Sequence, residues 1–388
     1  MLLEKNGVIR PSSLWKKARF GEDTIVANLD TGVWPESESF SDQGFGPIPS
    51  RWKGICQNDT TGFSCNRKLI GARYFNKGYA EYAGPLNSSA YTARDSNGHG
   101  SHTLSTAGGN FVPRASVFGA GNGTAKVNDT ICFDSDILAA FDVAIHDGVD
   151  VISVSLGGDH PENYFESGIS IGAFHAVKHG IAVVCSAGNS GPAAGTVTNV
   201  APWVITVGAS TLDREFQNFV ELRNGLRHKG SSLSEPLPDD TLYPLITGAQ
   251  AKGINSSAED AMLCLGGTLD PKKVKGKILV CLRGITARLD KGQQAALAGA
   301  VGMILCNDKA SGNELMADFH VLPASNINYE DGVAVFAYVN STDDPMGFIT
   351  APAAELNTKP APFMASFFRK GQTLSLLRSL SLISLLLV

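Results

Sequence analysis

Apolar positions in the first half of the chain fall into short continuous runs separated by stretches with helical spacing. Ile25 to Asn28 reads as a short strand running into the polar turn Leu29-Asp30-Thr31-Gly32. Ile137, Leu138, Phe141 and Ile145 recur at the period of a helix over 137–146, with Ser135 or Asp134 as its cap and Gly148 beyond its end. Val151 to Leu156 is an unbroken buried strand closed by Gly157-Gly158. A second helix from Ser167 to His179 stops at Gly180, and the strand Ile181 to Cys185 runs into Ser186-Ala187-Gly188-Asn189. Strand, helix, strand, helix, strand predicts an α/β fold, a doubly wound and mostly parallel sheet. Active sites of such sheets lie at the carboxyl ends of the strands, where both polar turns fall.

The pattern changes after Thr211. A polar, Pro-containing stretch at Glu235–Asp240 precedes strands Lys277–Cys281 and Val301–Cys306 around a helix near Gln293–Ala298. This predicts a small inserted α+β domain over 235–351, splitting a first domain that covers 1–215 and returns as an apolar strand, Phe363–Phe368, within 356–371. Residues 372–388 are almost purely Leu, Ser and Ile. These 17 residues fall short of the ~20 needed to span a bilayer and carry Arg378, so no membrane partner is expected.

With 388 residues, 43% hydrophobic and 18% charged, the chain can bury a core in each of two domains. A net charge of -5 offers no attraction to phosphate, which excludes a nucleic-acid partner. Seven cysteines cannot all pair. Sequons at Asn58, Asn87, Asn122, Asn128, Asn255 and Asn340 would be acceptors in a secretory pathway. The opening Met1-Leu2-Leu3-Glu4-Lys5 lacks the basic, apolar and cleavable parts of a secretory signal, and no signal peptide is expected in this chain.

His99 stands between two glycines in Asp95-Ser96-Asn97-Gly98-His99-Gly100-Ser101-His102, where a helix of small residues begins, so its ring can reach a substrate. A solvated loop histidine would read the same way. His99 and His102 lack the Glu or cysteine neighbours of a zinc site, so neither a metal nor another cofactor is expected. Asp30 in an apolar-Asp-Thr-Gly turn also fits an aspartic protease, which needs a second such turn that is missing here. Asn189 ends a buried strand among small residues, where its amide can donate to an oxyanion or simply close a turn. Gly119-Ala120-Gly121-Asn122-Gly123 lacks the third glycine of a dinucleotide loop.

In this order, Asn-Leu-Asp-Thr-Gly-Val-Trp-Pro-Glu-Ser around Asp30, Asn-Gly-His-Gly-Ser-His-Thr around His99 and Ser-Ala-Gly-Asn-Ser-Gly-Pro around Asn189 resemble the subtilases, closest to the plant secreted branch. The resemblance implies a serine endopeptidase acting on polypeptide substrates, secreted to the extracellular space or cell wall, of unassigned oligomeric state. It implies that Asp30 orients the imidazole, that His99 is general base and then acid, and that Asn189 donates to the oxyanion. Ser155, Leu156 and Gly157 resemble the edge on which the substrate peptide lies. The inserted region resembles a protease-associated domain, and Cys56 with Cys65 and Cys264 with Cys281 are the candidate disulfides.

Three departures from the family carry expectations of their own. Its Gly-Thr-Ser nucleophile turn has no counterpart in these residues, and loss of the nucleophile in subtilisin lowers turnover by roughly 10⁶, so this polypeptide is expected to be inactive. Near Lys126–Thr130 a strand of the central sheet is expected to be missing, leaving Cys132 without its partner and the sheet with a gap. With codons chosen for it, the Leu-rich tail can be back-translated so that a one-base shift gives a sequence resembling the family's own, and it is expected to be a frameshift product.

Overall fold

The computed structural model describes residues 13–59, 61–113, 132–158, 160–191, 195–362, 364–365 and 383–385. They divide into two compact units, the second running from Leu212 to Ala361.

In the first unit, β1 (Val26–Leu29), β2 (Val151–Val154), β3 (Ala182–Ser186) and β4 (Ile205–Gly208) form a sheet in that order, with β13 (Ile383–Leu385) beyond β4. Every pair is parallel, with Val26 opposite Val151, Val151 opposite Ala182 and Cys185 opposite Thr206. Side chains along β1 alternate between its faces. Leu29 joins a buried cluster with Phe141 and Ala144 of α2 (Asp134–Asp147) and with Ile169, Ala173 and Ala176 of α3 (Gly168–Lys178). On the other face Asn28 donates to Gly100 and Thr103 of α1 (His99–Gly108). The sheet is therefore wound on both faces. Phe141 is fully buried, and a methyl group on Gly172 would lie 2.4 Å from its ring, so α2 and α3 pack closely only because residue 172 has no side chain.

Several boundaries differ from the sequence expectation. The cap of α2 is Phe133, and Asp134 and Asp136 lie in its first turn, where carboxylates oppose the helix dipole. Gly148 closes that helix in the left-handed conformation, φ 83°. The strand ends at Val154, so Ser155, Leu156 and Gly157 follow it as irregular chain. Of the expected return strand 363–368, only Met364 and Ala365 are described, and Met364 bridges antiparallel to Ser210. The expected gap near 126–130 and most of the tail lie outside the described residues.

The second unit begins at Leu212, before the expected Glu235, because β5 (Arg214–Leu222) and β6 (Arg227–Ser231) belong to it. With β7 (Tyr243–Thr247), β8 (Ile278–Leu282), β9 (Gly302–Cys306), β10 (Ala324–Ile327), β11 (Met346–Ile349) and β12 (Ala353–Leu356) they form an eight-stranded sheet. The β7-β8-β9-β10 run is parallel, the remaining pairs are antiparallel, and β11 bridges β7 to β5. Successive residues of β8 and β9 enter different cores: Ile278, Val280 and Ile304 meet Val335 and Val339 of α5 (Tyr329–Ser341), while Leu279, Met303 and Leu305 meet Ala295 of α4 (Arg288–Leu297). Strands covered on both faces read as unbroken apolar runs, which is how the sequence shows them.

Candidate active site

Asp30 follows the last residue of β1, at the carboxyl end of the sheet. Two glycines bring α1 to it. Gly32 has φ 122°, and a methyl group on Gly100 would lie 2.2 Å from the Gly32 carbonyl oxygen, so the first turn of α1 touches the Asp30 turn backbone to backbone. Asp95, 4% exposed, locks this approach. Its Oδ1 accepts from Thr31 Oγ1 at 3.0 Å and from the N–H groups of Asn97 and Gly98, and its Oδ2 accepts from the N–H and Oγ of Ser101. Burial alone would raise its pKa, but the bonds from Ser101, Gly98 and Thr31 outweigh burial and hold it below the ordinary carboxylate value.

His99, the first residue of α1, places Nδ1 2.5 Å from Asp30 Oδ1. A carboxylate only accepts, so Nδ1 carries the proton and Nε2 is the free lone pair. The Asp30 side chain is 1% exposed and the His99 side chain 33%, which leaves the ring reachable and its partner sealed. Asp30 is held on both oxygens: Oδ1 also accepts from the Thr31 N–H at 2.8 Å, and Oδ2 accepts from Thr103 Oγ1 at 2.8 Å. The hydrogen bond to Asp30 raises the His99 pKa, burial opposes it, and the charges of Asp30 and Asp95 add to the rise. An imidazole oriented this way can take a proton at Nε2 and stabilise the resulting cation through Nδ1.

Asn189 lies past the end of β3, exposed, after Gly188 at φ 85°. Sequence reasoning missed Asn199. Its Nδ2 donates to the carbonyls of Leu156 at 2.8 Å and Ser186 at 2.9 Å, tying the chain after β2 to the end of β3. Thr198 Oγ1, beside Gly157 and Gly188, is buried without a partner. Thr103 was open to detection, since it lies four residues after His99 on the same helix face. Asn199 was not, because its partners lie 43 and 13 residues away.

Cys56 and Cys65 are joined, as are Cys264 and Cys281, while Cys132 is free and exposed and Cys185 and Cys306 are free and buried. Asn58, Asn87, Asn255 and Asn340 are exposed, whereas Asn122 and Asn128 lie outside the described residues. Among the described residues no three His, Cys, Asp or Glu side chains are grouped to hold a metal ion, and no helix is long and apolar enough to cross a membrane.

The first unit is a parallel α/β domain with a carboxylate–imidazole pair at the carboxyl ends of its strands, the imidazole partly exposed. Residues 21–330 match the Subtilase family, peptidase S8. The chain belongs to that family. It is 64% identical to Subtilisin-like protease SBT5.4 of Arabidopsis thaliana over 96% of this chain and 50% of that protein. It is 58% identical to Subtilisin-like protease SBT5.3 of the same plant over 96% and 50%, and 47% identical to Subtilisin-like protease Glyma18g48580 of Glycine max over 93% and 50%. The chain spans about half the length of these relatives.

Proposed function

We propose that these residues form the acid–base half of a secreted serine endopeptidase that cleaves polypeptides by acyl transfer. His99 takes the proton of an attacking serine at Nε2 and returns it to the leaving amine, while Asp30 orients the ring and stabilises its cation. Asn189 donates to the oxyanion, and the substrate peptide lies along Ser155, Leu156 and Gly157. The observation that carries this reading is the 2.5 Å contact between a sealed Asp30 and an accessible His99. The unit from Leu212 to Ala361 is read as a protease-associated insertion.

No Gly-Thr-Ser turn occurs in these 388 residues, so the polypeptide by itself is proposed to be inactive. A fluorophosphonate probe should leave it unlabelled, and covalent modification of one of its serines would overturn the inactivity. Fused to the carboxyl-terminal half of the 64% identical relative, the chain should label and hydrolyse a peptide, and His99→Ala should abolish both. A fusion that keeps its turnover without His99 would overturn the assigned chemistry. A non-catalytic binding module is the second reading, favoured by the self-contained cores of the second unit; that unit expressed alone would then retain the partner that the whole chain binds.

A further inference from the structure

The last pair of the ladder between β2 and β3 is Val154 with Cys185, and past it one chain leads into Ser155–Gly157 and the other toward Asn189. Where the ladder stops, one side chain takes over. Asn199 Nδ2 donates to the Leu156 carbonyl at 2.8 Å on the first chain and to the Ser186 carbonyl at 2.9 Å on the second. A side-chain amide has two N–H groups, and both are used in this bridge. The amide is itself anchored from the sheet. Thr206 of β4, fully buried, donates through Oγ1 to the Asn199 carbonyl at 2.5 Å, and the Thr198 N–H donates to the Ala187 carbonyl at 3.1 Å. A methyl group on Gly157 would lie 3.2 Å from Asn199 Nδ2, so the chain after β2 runs directly across the amide. Asn199 holds φ 54°, in the left-handed region that strains a residue with a side chain and that glycine adopts freely. The backbone alone is satisfied by glycine there; what asparagine adds is the amide.

We propose that Asn199 is a positioning residue for peptide cleavage: its amide sets the separation between the edge along which the substrate lies and the turn that carries Asn189. The inference rests on the serine endopeptidase reading, in which a peptide held by main-chain bonds at Ser155–Gly157 delivers its scissile carbonyl to the Asn189 amide. Binding of the peptide uses the first chain alone, whereas stabilisation of the oxyanion uses both. Loss of the bridge therefore leaves ground-state binding in place and weakens the contact made only at the reacting carbonyl, which lowers kcat and leaves KM. Asn199 acts through Leu156 and Ser186 and touches no reacting atom.

Asn199→Gly keeps the backbone conformation and removes only the amide. The test builds it into the fusion with the carboxyl-terminal half of the 64% identical relative and counts competent sites by fluorophosphonate titration. A merely structural defect reduces the number of sites and not the turnover of each. Peptide turnover per titrated site should fall by roughly 10–100-fold, with KM kept within about threefold. An unchanged kcat per site overturns the proposal, and so does a raised KM with kcat kept, which would make Asn199 part of the binding surface alone. An unsubstituted fusion without turnover overturns the peptidase reading instead, and the positioning role falls with it. Should Asn199→Gly not fold, Asn199→Asp carries the same comparison, since aspartate also tolerates left-handed backbone and its carboxylate cannot donate. In the full chain as it stands, the two Nδ2 protons of Asn199 should exchange at least about tenfold more slowly than those of the exposed Asn255, and equal rates would overturn the bridge itself.

Discussion

A histidine whose pKa is raised in the native state binds its proton more tightly there than in the unfolded chain. The Asp30–His99 pair therefore contributes stability in full below the free imidazole value of about 6.5, and that contribution fades as pH rises through the raised native value. Asp30→Asn removes the largest cause of the shift and should move the His99 titration downward, followed by NMR of the ring; an unmoved midpoint would show that Asp30 does not set it. Both residues were legible in the sequence because each sits inside a contiguous motif. Asp95 was not, though it fixes the same turn: four of its five accepted bonds are local, from Asn97, Gly98 and Ser101, and the one that ties it to the Asp30 turn comes from Thr31, 64 residues away.

Among the elements, α2 and β2 carry the core of the first unit. Phe141→Ala removes a fully buried ring wedged against Gly172, in a site walled by two helices that cannot collapse into the space. It should destabilise the first unit by about 3–5 kcal/mol, read as a lower denaturant midpoint, and a loss below about 1 kcal/mol would contradict this packing. The elements legible beforehand are those with unbroken apolar runs or clear helical spacing. The pair β5–β6 was not, because its buried positions include Asn218, His228 and Ser231. Each makes a hydrogen bond, such as Asn218 Nδ2 to the Ala324 carbonyl at 3.0 Å, and buried polar residues leave no apolar alternation to read.

At the scale of the whole molecule, each unit has its own buried clusters and its own disulfide, so calorimetry should resolve two unfolding transitions. Opening the 17-residue Cys264–Cys281 loop by Cys264→Ala with Cys281→Ala releases chain entropy worth about 3 kcal/mol in the second unit alone. Only that transition should move down, and a single merged transition shifting as a body would show the units to be one cooperative block.

The strand that carries Asp30 has a neighbour on one side only among the described residues, whereas β2 and β3 have two. Opening to solvent costs least where a strand is held along one edge, so wherever β1 frays, Asp30 at its end moves with it. The imidazole then loses its aligned partner in brief excursions, while the rest of the sheet remains intact. Fraying of that one strand is thus enough to part the acid–base pair, without melting of the domain that holds it.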